Sequence, residues 1–264
     1  DATHPRGLWR RTTWDSYRAG APGPDGTSSG TTEWEVLLDL DALGREEGVT
    51  WVWHGAEVLR STGERALVTL SEGGSDADVT REYDLVHRRF IAPEDGGFHR
   101  RASKGSMSWA DDEGASVLVT GDLGPGSVTS SGYPRQARRL HRGQRPQDAE
   151  VLGTCATDAV GLFVGRDRWG RTWVSIAQDF HASRTWLVPD GVPLPRVDDP
   201  AGADALHQAD ESVPAAAVLV EVPESARVDV GHDWLTVELR EDWQVGGRLH
   251  TSGTLLAARL EDFL

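Results

Sequence analysis

Short runs of β-branched and aromatic residues, closed at both ends by Gly, Asp, Pro or Ser, recur along the sequence and leave almost no sustained helical period. They include Gly7 to Thr13, Trp51 to Leu59, Arg65 to Ser71, Val79 to Leu85, Ser116 to Thr120, Gln136 to His141, Leu162 to Arg166, Trp173 to Ala177, Thr185 to Val188, Ala217 to Val222 and Trp234 to Arg240. Side chains alternate across a strand, so such runs bury an apolar face only by assembling into sheets, and the class is all-β.

Grouped in fours, the runs repeat about every 45 residues, the spacing of propeller blades. The groups are Trp51 to Ile91, Gly105 to Leu152, Val160 to Val197 and Ala215 to Leu260. The expected fold is a partial β-propeller of about four four-stranded antiparallel blades, with residues 1–264 as one incomplete propeller domain. Periodicity alone leaves a face-packed sandwich open. Asp39 to Glu47 is the best helical segment and stops before Gly48. Ala19 to Thr32, rich in Gly, Pro, Ser and Thr, reads as a flexible insertion. Pro200 to Asp210 reads as a loop or a single helical turn. Both ends look cut, because Asp1 leads almost at once into a strand and Phe263 and Leu264 end the chain without a cap.

The net charge of -15 argues against nucleic acid, which needs clustered Lys and Arg on one face. Apolar stretches such as Ala215 to Val220 are far shorter than the roughly 18 residues of a membrane span. Cys155 is the only cysteine, which rules out an internal disulfide and a zinc site of several thiolates, and it reads as a small buried apolar residue. With no export signal in view, a cytoplasmic location is expected.

Candidate chemistry is sparse. Gly26, Thr27, Ser28, Ser29 and Gly30 match G-x-S-x-G, but that motif works only where a buried strand turns sharply into a helix, and neither flank supplies one. Ser28 is therefore a decoy, and no residue is assigned a catalytic role. The nine histidines include no H-E-x-x-H and no H-x-H, so neither a metal nor another cofactor is called for. The acidic loop Gly73 to Asp78 lacks the later bidentate Glu of a calcium loop and reads as a hairpin turn. Gly121 to Arg135 (GDLGPGSVTSSGYPR) is a long polar loop that matches no phosphate-binding pattern. Long loops on rigid β scaffolds are nonetheless where binding functions sit. Most of the 11 tryptophans, among them Trp51, Trp53, Trp109, Trp173, Trp186, Trp234 and Trp243, fall within strands and are expected in the core rather than in a sugar site.

Five colinear segments carry a family resemblance: HPRGLWRRTTWDSYR (His4 to Arg18), Trp34 to Leu59, LVTLSEGGSDADVTREYDLVHRRFI (Leu67 to Ile91), Gly121 to Arg135, and LREDWQVGGRLHTSGTLLA (Leu239 to Ala257). Together they resemble the N-terminal propeller of bacterial prolyl oligopeptidase family serine peptidases. The resemblance implies a propeller that caps an α/β-hydrolase domain following it in sequence, a domain that supplies the Ser, Asp and His and is absent here. It also implies a role, admitting peptides to an enclosed active site while keeping folded proteins out. The family's loop corresponding to Gly121 to Pro134 faces the hydrolase domain, which assigns gating to Asp122, Tyr133 and Arg135. The implied partners are the hydrolase domain of the same polypeptide and a peptide substrate, with no nucleic acid and no membrane. A free-standing propeller scaffold for protein binding and a carbohydrate-binding propeller are the alternatives, the latter needing paired carboxylates around a sugar site.

Overall fold

In the strand Arg65–Glu72 every residue from Ala66 to Ser71 except Thr69 is buried, as befits a central strand with neighbours on both sides. A computed structural model describes this chain at residues 3–24, 26–189, 211, 212 and 216–264. Pro200 to Asp210 lies outside the described residues. The chain divides into two units, Asp1–His99 and Arg100–Leu264.

The first unit opens with β1 (Leu8–Arg11), α1 (Trp14–Gly20), β2 (Glu35–Asp39) and α2 (Leu40–Glu47), with β1 antiparallel to β2. It continues with β3 (Trp51–Val58), β4 (Arg65–Glu72), β5 (Asp78–Asp84) and β6 (Arg89–Phe90), hydrogen-bonded in chain order. Both helices start on a capped N-terminus. Asp39 Oδ1 accepts from the amides of Asp41 and Ala42, and Thr13 Oγ1 accepts from Ser16 N. Gly48, in left-handed conformation, ends α2 at the expected place. Helix α1 has no counterpart among the sequence expectations, because seven residues are too few for a helical period to emerge. The segment after it closes on itself, with Ser29 Oγ bonded to Ala19 O and Glu33 N to Ser16 Oγ. The Gly73 to Asp78 loop is the hairpin turn between β4 and β5, beyond the pair of Ser71 with Asp78.

After β7 (His99–Ser103), the second unit contains β8 (Met107–Trp109), β9 (Ser116–Thr120), β10 (Gln136–His141) and β11 (Glu150–Cys155) as one antiparallel sheet, which β15 (Glu211–Ser212) extends beyond β11. A second sheet orders β12 (Gly161–Arg166), β13 (Thr172–Ala177), β14 (Ser183–Val188) and β16 (Val218–Leu219). A third orders β17 (Arg227–Gly231), β18 (Trp234–Glu238) and β21 (Leu255–Arg259), beside the hairpin β19 (Trp243–Val245) and β20 (Arg248–His250) and the final turn of helix α3 (Leu260–Phe263). The main sheets are antiparallel and most neighbouring strands are consecutive in sequence, as in propeller blades and unlike the strand exchange of a Greek-key sandwich. The fold is all-β and of partial β-propeller type.

Each unit has its own apolar clusters. Leu37, Leu40, Trp51, Val68, Leu70 and Tyr83 pack together in the first. In the second, Leu118, Leu152, Cys155, Leu162, Ile176 and Trp186 form one cluster and Val220, Leu235, Val237 and Leu260 another. Cys155 is fully buried, as expected of a small apolar residue. Trp51, Trp109 and Trp186 are buried, and Trp53, Trp173 and Trp243 pack against the clusters. Trp234 departs from the core expectation at 46% exposure, because it is the first residue of β18 after a turn and faces outward under the Arg259 guanidinium.

Tyr83 joins the two parts of the first unit, its hydroxyl donating to the carbonyl of Leu37. Burial pushes its phenol up to about 12. Above pH 10 the unfolded phenol loses its proton while the folded one keeps it, so stability falls as pH rises from about 10 to 12. Ultraviolet titration of the folded chain is expected to leave one tyrosine un-ionised at pH 11. Complete ionisation there without unfolding would refute the buried donor role.

Candidate functional site

The Gly121 to Arg135 loop leaves β9 and returns at β10, and close backbone contacts fix its root. Gly105 has φ +151, and a Cβ there would come within 2.4 Å of Thr120 O; one on Gly121, φ +137, would meet Ser103 Oγ at 2.5 Å. Only glycine fits either position. The loop is knit by its own polar groups. Buried Ser127 accepts from Leu123 N at 2.8 Å and donates to Gly124 O at 2.6 Å. The amides of Arg135, Thr129 and Gly132 bond to Ser127 O, Tyr133 O and Thr129 O. Amides spent inside the loop are unavailable to an anion, which agrees with the lack of a phosphate-binding pattern.

Each of the three anticipated residues holds a different part of this loop. Asp122 is exposed and accepts from Gly124 N at 3.2 Å, shaping the first turn. Tyr133 is half-buried, its amide bonded to Thr129 Oγ1 and its ring 4.2 Å from Nζ of Lys104, the chain's sole lysine. Arg135 is 3% exposed and donates to Gly126 O at 3.2 Å, so it braces the loop from within. Only Asp122 and Tyr133 present chemistry at the surface.

Ser28 is exposed on the closed loop between α1 and β2, with no strand before it and no helix directly after it among the described residues. The strained turn that makes such a serine a nucleophile is missing.

A second serine passed unnoticed in the sequence. Ser71 Oγ lies 2.9 Å from His54 Nε2, and His54 Nδ1 lies 3.0 Å from Asp78 Oδ2, which is the connectivity of a Ser-His-Asp triad. A β-bulge builds it: the β3–β4 register shifts between Trp53 and Gly55, turning His54 toward the neighbouring strands. The carboxylate accepts from Nδ1–H, leaving Nε2 to accept from the serine hydroxyl. Ser71 is nonetheless fully buried near the end of β4, paired to Val52 on one side and Asp78 on the other, where no carbonyl carbon can reach it. The arrangement is a three-strand polar clip. Residues 54, 71 and 78 come from three strands and follow no triad motif, so only a register of β3 against β4 with its bulge could have revealed them.

No protein-family model matches the chain. It is 43% identical over 144 residues to an uncharacterised peptidase of Sinorhizobium fredii, covering 54% of this chain and 18% of that protein. It is 29% identical over 160 residues to an uncharacterised peptidase of Rickettsia prowazekii, covering 58% and 20%. Among solved structures, a post-proline cleaving enzyme from Rickettsia typhi superposes over 100% of this chain and 35% of its own, with a TM-score of 0.77 at 21% identity. Oligopeptidase B from Leishmania major covers 96% of this chain and 29% of its own, with a TM-score of 0.55 at 12% identity. The chain shares the fold of the matched part of these enzymes. It spans about a fifth of the length of its curated peptidase relatives and about a third of the structural ones. Within that fold the knit Gly121 to Arg135 loop combines a rigid root with an exposed carboxylate and a half-buried aromatic ring. No helix among the described residues is long and apolar enough to cross a membrane.

Proposed function

We propose that this chain is the substrate-gating propeller portion of a prolyl-oligopeptidase-like serine peptidase that hydrolyses short peptides in the cytoplasm. The observation that carries the reading is the superposition of the entire chain on one third of a post-proline cleaving enzyme. In this reading the four strand groups are blades of one incomplete propeller domain. The partner is an α/β-hydrolase domain of the same polypeptide, which brings the nucleophile, base and oxyanion donors. The chain itself excludes substrates too large to pass. Asp122 and Tyr133 offer a carboxylate and an aromatic ring to whatever passes the loop, and Arg135 keeps the loop's shape through Gly126.

Selection by access acts on entry of the substrate and not on bond cleavage, so its signature is a change in the ratio of rates between substrates of different length. In the enzyme that joins this chain to its hydrolase domain, Asp122→Ala with Tyr133→Ala is expected to raise kcat/KM for a peptide of about thirty residues roughly tenfold relative to a short chromogenic peptide, ~1.4 kcal/mol of discrimination. The short-peptide rate stays unchanged. An unaltered ratio would refute the gating assignment.

A further inference from the structure

We propose that a cavity of about 640 Å³ in the second unit is a binding site for a basic side chain, an alkylammonium or guanidinium carried on an apolar stem. The cavity lies between the start of β14, the segment after β16 and the hairpin strand β19, and its volume is within the ordinary range of ligand pockets, about 300–1,000 Å³. Apolar surface comes from Leu219, Val222, Pro223 and Val245, and an aromatic wall from Trp243.

Three observations select a cation. Arg184, the one guanidinium among the described lining residues, is engaged by Glu224 at 3.5 Å, so little positive charge is left for an anion. Glu221, in the same lining, has no ion pair or hydrogen-bond partner among the described residues and is exposed to incoming ligand. Trp243 packs on the Val220–Leu235 cluster while lining the cavity, which holds its ring in place. An open carboxylate and a fixed indole lining one cavity can together capture an organic cation, by Coulomb attraction and by the ring quadrupole. The chain's net charge of -15 raises the local concentration of cations and repels anions from the mouth. Aliphatic walls then favour a ligand whose charge ends a methylene stem over a bare inorganic ion.

Two sources share this chemistry, a basic residue of a peptide and a free polyamine. The test is titration of the ¹⁵N-labelled chain with three probes, following the indole resonance assigned to Trp243. The probes are a tetrapeptide with one central Arg, the same peptide with Glu in its place, and spermidine. The Arg peptide is expected to shift the Trp243 indole saturably, Glu221→Gln to weaken it about tenfold, and the Glu peptide to cause no shift. Glu221 is exposed, so Glu221→Gln leaves the fold intact, and Glu221→Arg is expected to abolish binding without changing thermal unfolding. Saturation by spermidine at equal affinity assigns the site to free polycations, and saturation by the Arg peptide alone assigns it to peptides. Absence of saturation by both cations, equal binding of the Glu peptide, or affinity indifferent to Glu221→Gln would overturn the proposal. It stands or falls independently of the peptidase reading, since no proteolysis is measured.

Discussion

Incubated with a chromogenic prolyl peptide, the isolated 264-residue chain is expected to release no product above the uncatalysed rate, and Ser28→Ala and Ser71→Ala are expected to change nothing. Acyl transfer needs a reachable serine, a base in contact with it and donors aimed at the developing oxyanion, and losing the catalytic serine or base costs on the order of 10⁶-fold in kcat. Ser28 is reachable but sits on a loop with neither strand before it nor helix directly after it. Ser71 has its base at 2.9 Å but no path to solvent. The two serines fail for opposite reasons, and neither failure is cured by a local rearrangement. The same sequence joined to its hydrolase domain is expected to turn the substrate over. Activity of the isolated chain that either substitution abolished would overturn the division of labour proposed above, and activity insensitive to both identifies a contaminating peptidase.

Glu82→Ala is expected to destabilise the first unit by about 2–3 kcal/mol, from a buried donor left unpaired and the space left behind, while Arg65, with its side chain 42% exposed, regains water. The Glu82 side chain is wholly inaccessible on β5. One oxygen accepts from Arg65 Nη1 at 2.8 Å, and the other accepts from the amide of Phe98 at 3.0 Å, a residue itself 2% exposed. Its backbone is also committed, donating to Phe98 O and accepting from Ile91 N. Truncation leaves a buried amide without its acceptor and a cavity where the carboxylate was. Glu82→Gln keeps an acceptor for Phe98 and should cost less than Glu82→Ala. Urea unfolding monitored by circular dichroism measures both, and a loss below ~1 kcal/mol for Glu82→Ala would show that the carboxylate contributes little to the fold.

Much of the architecture is legible because strand ends are written locally. The expected hairpin at Gly73 to Asp78, the helix before Gly48 and the central strands at Arg65, Gln136 and Trp173 all follow from turn residues and apolar runs within a few positions of one another. Short elements escape that reading. Helix α1, with seven residues, and β15, with two, give too little pattern to rise above their surroundings. The candidate loop was located from its composition, but its organisation was not. Arg135 looks like any surface arginine in sequence, and its burial depends on the carbonyl of Gly126 nine residues earlier.

By itself, then, the sequence determined the all-β class, the place of many strands and the site of the long loop, since each rests on local backbone preference or on what immediately flanks a residue. Tertiary structure alone decided the rest. The clip of His54, Ser71 and Asp78 needs a bulge in one strand and the register of two others. The partners of the Glu82 carboxylate, Arg65 on β4 and the amide of Phe98 just before β7, are distant from it in sequence. The cavity beside Trp243 needs β14, β19 and the segment after β16, residues as far apart as 183 and 245, to converge. Contacts across such separations follow from how sheets pack and from which polar groups lose water together, and no short window of sequence contains that information.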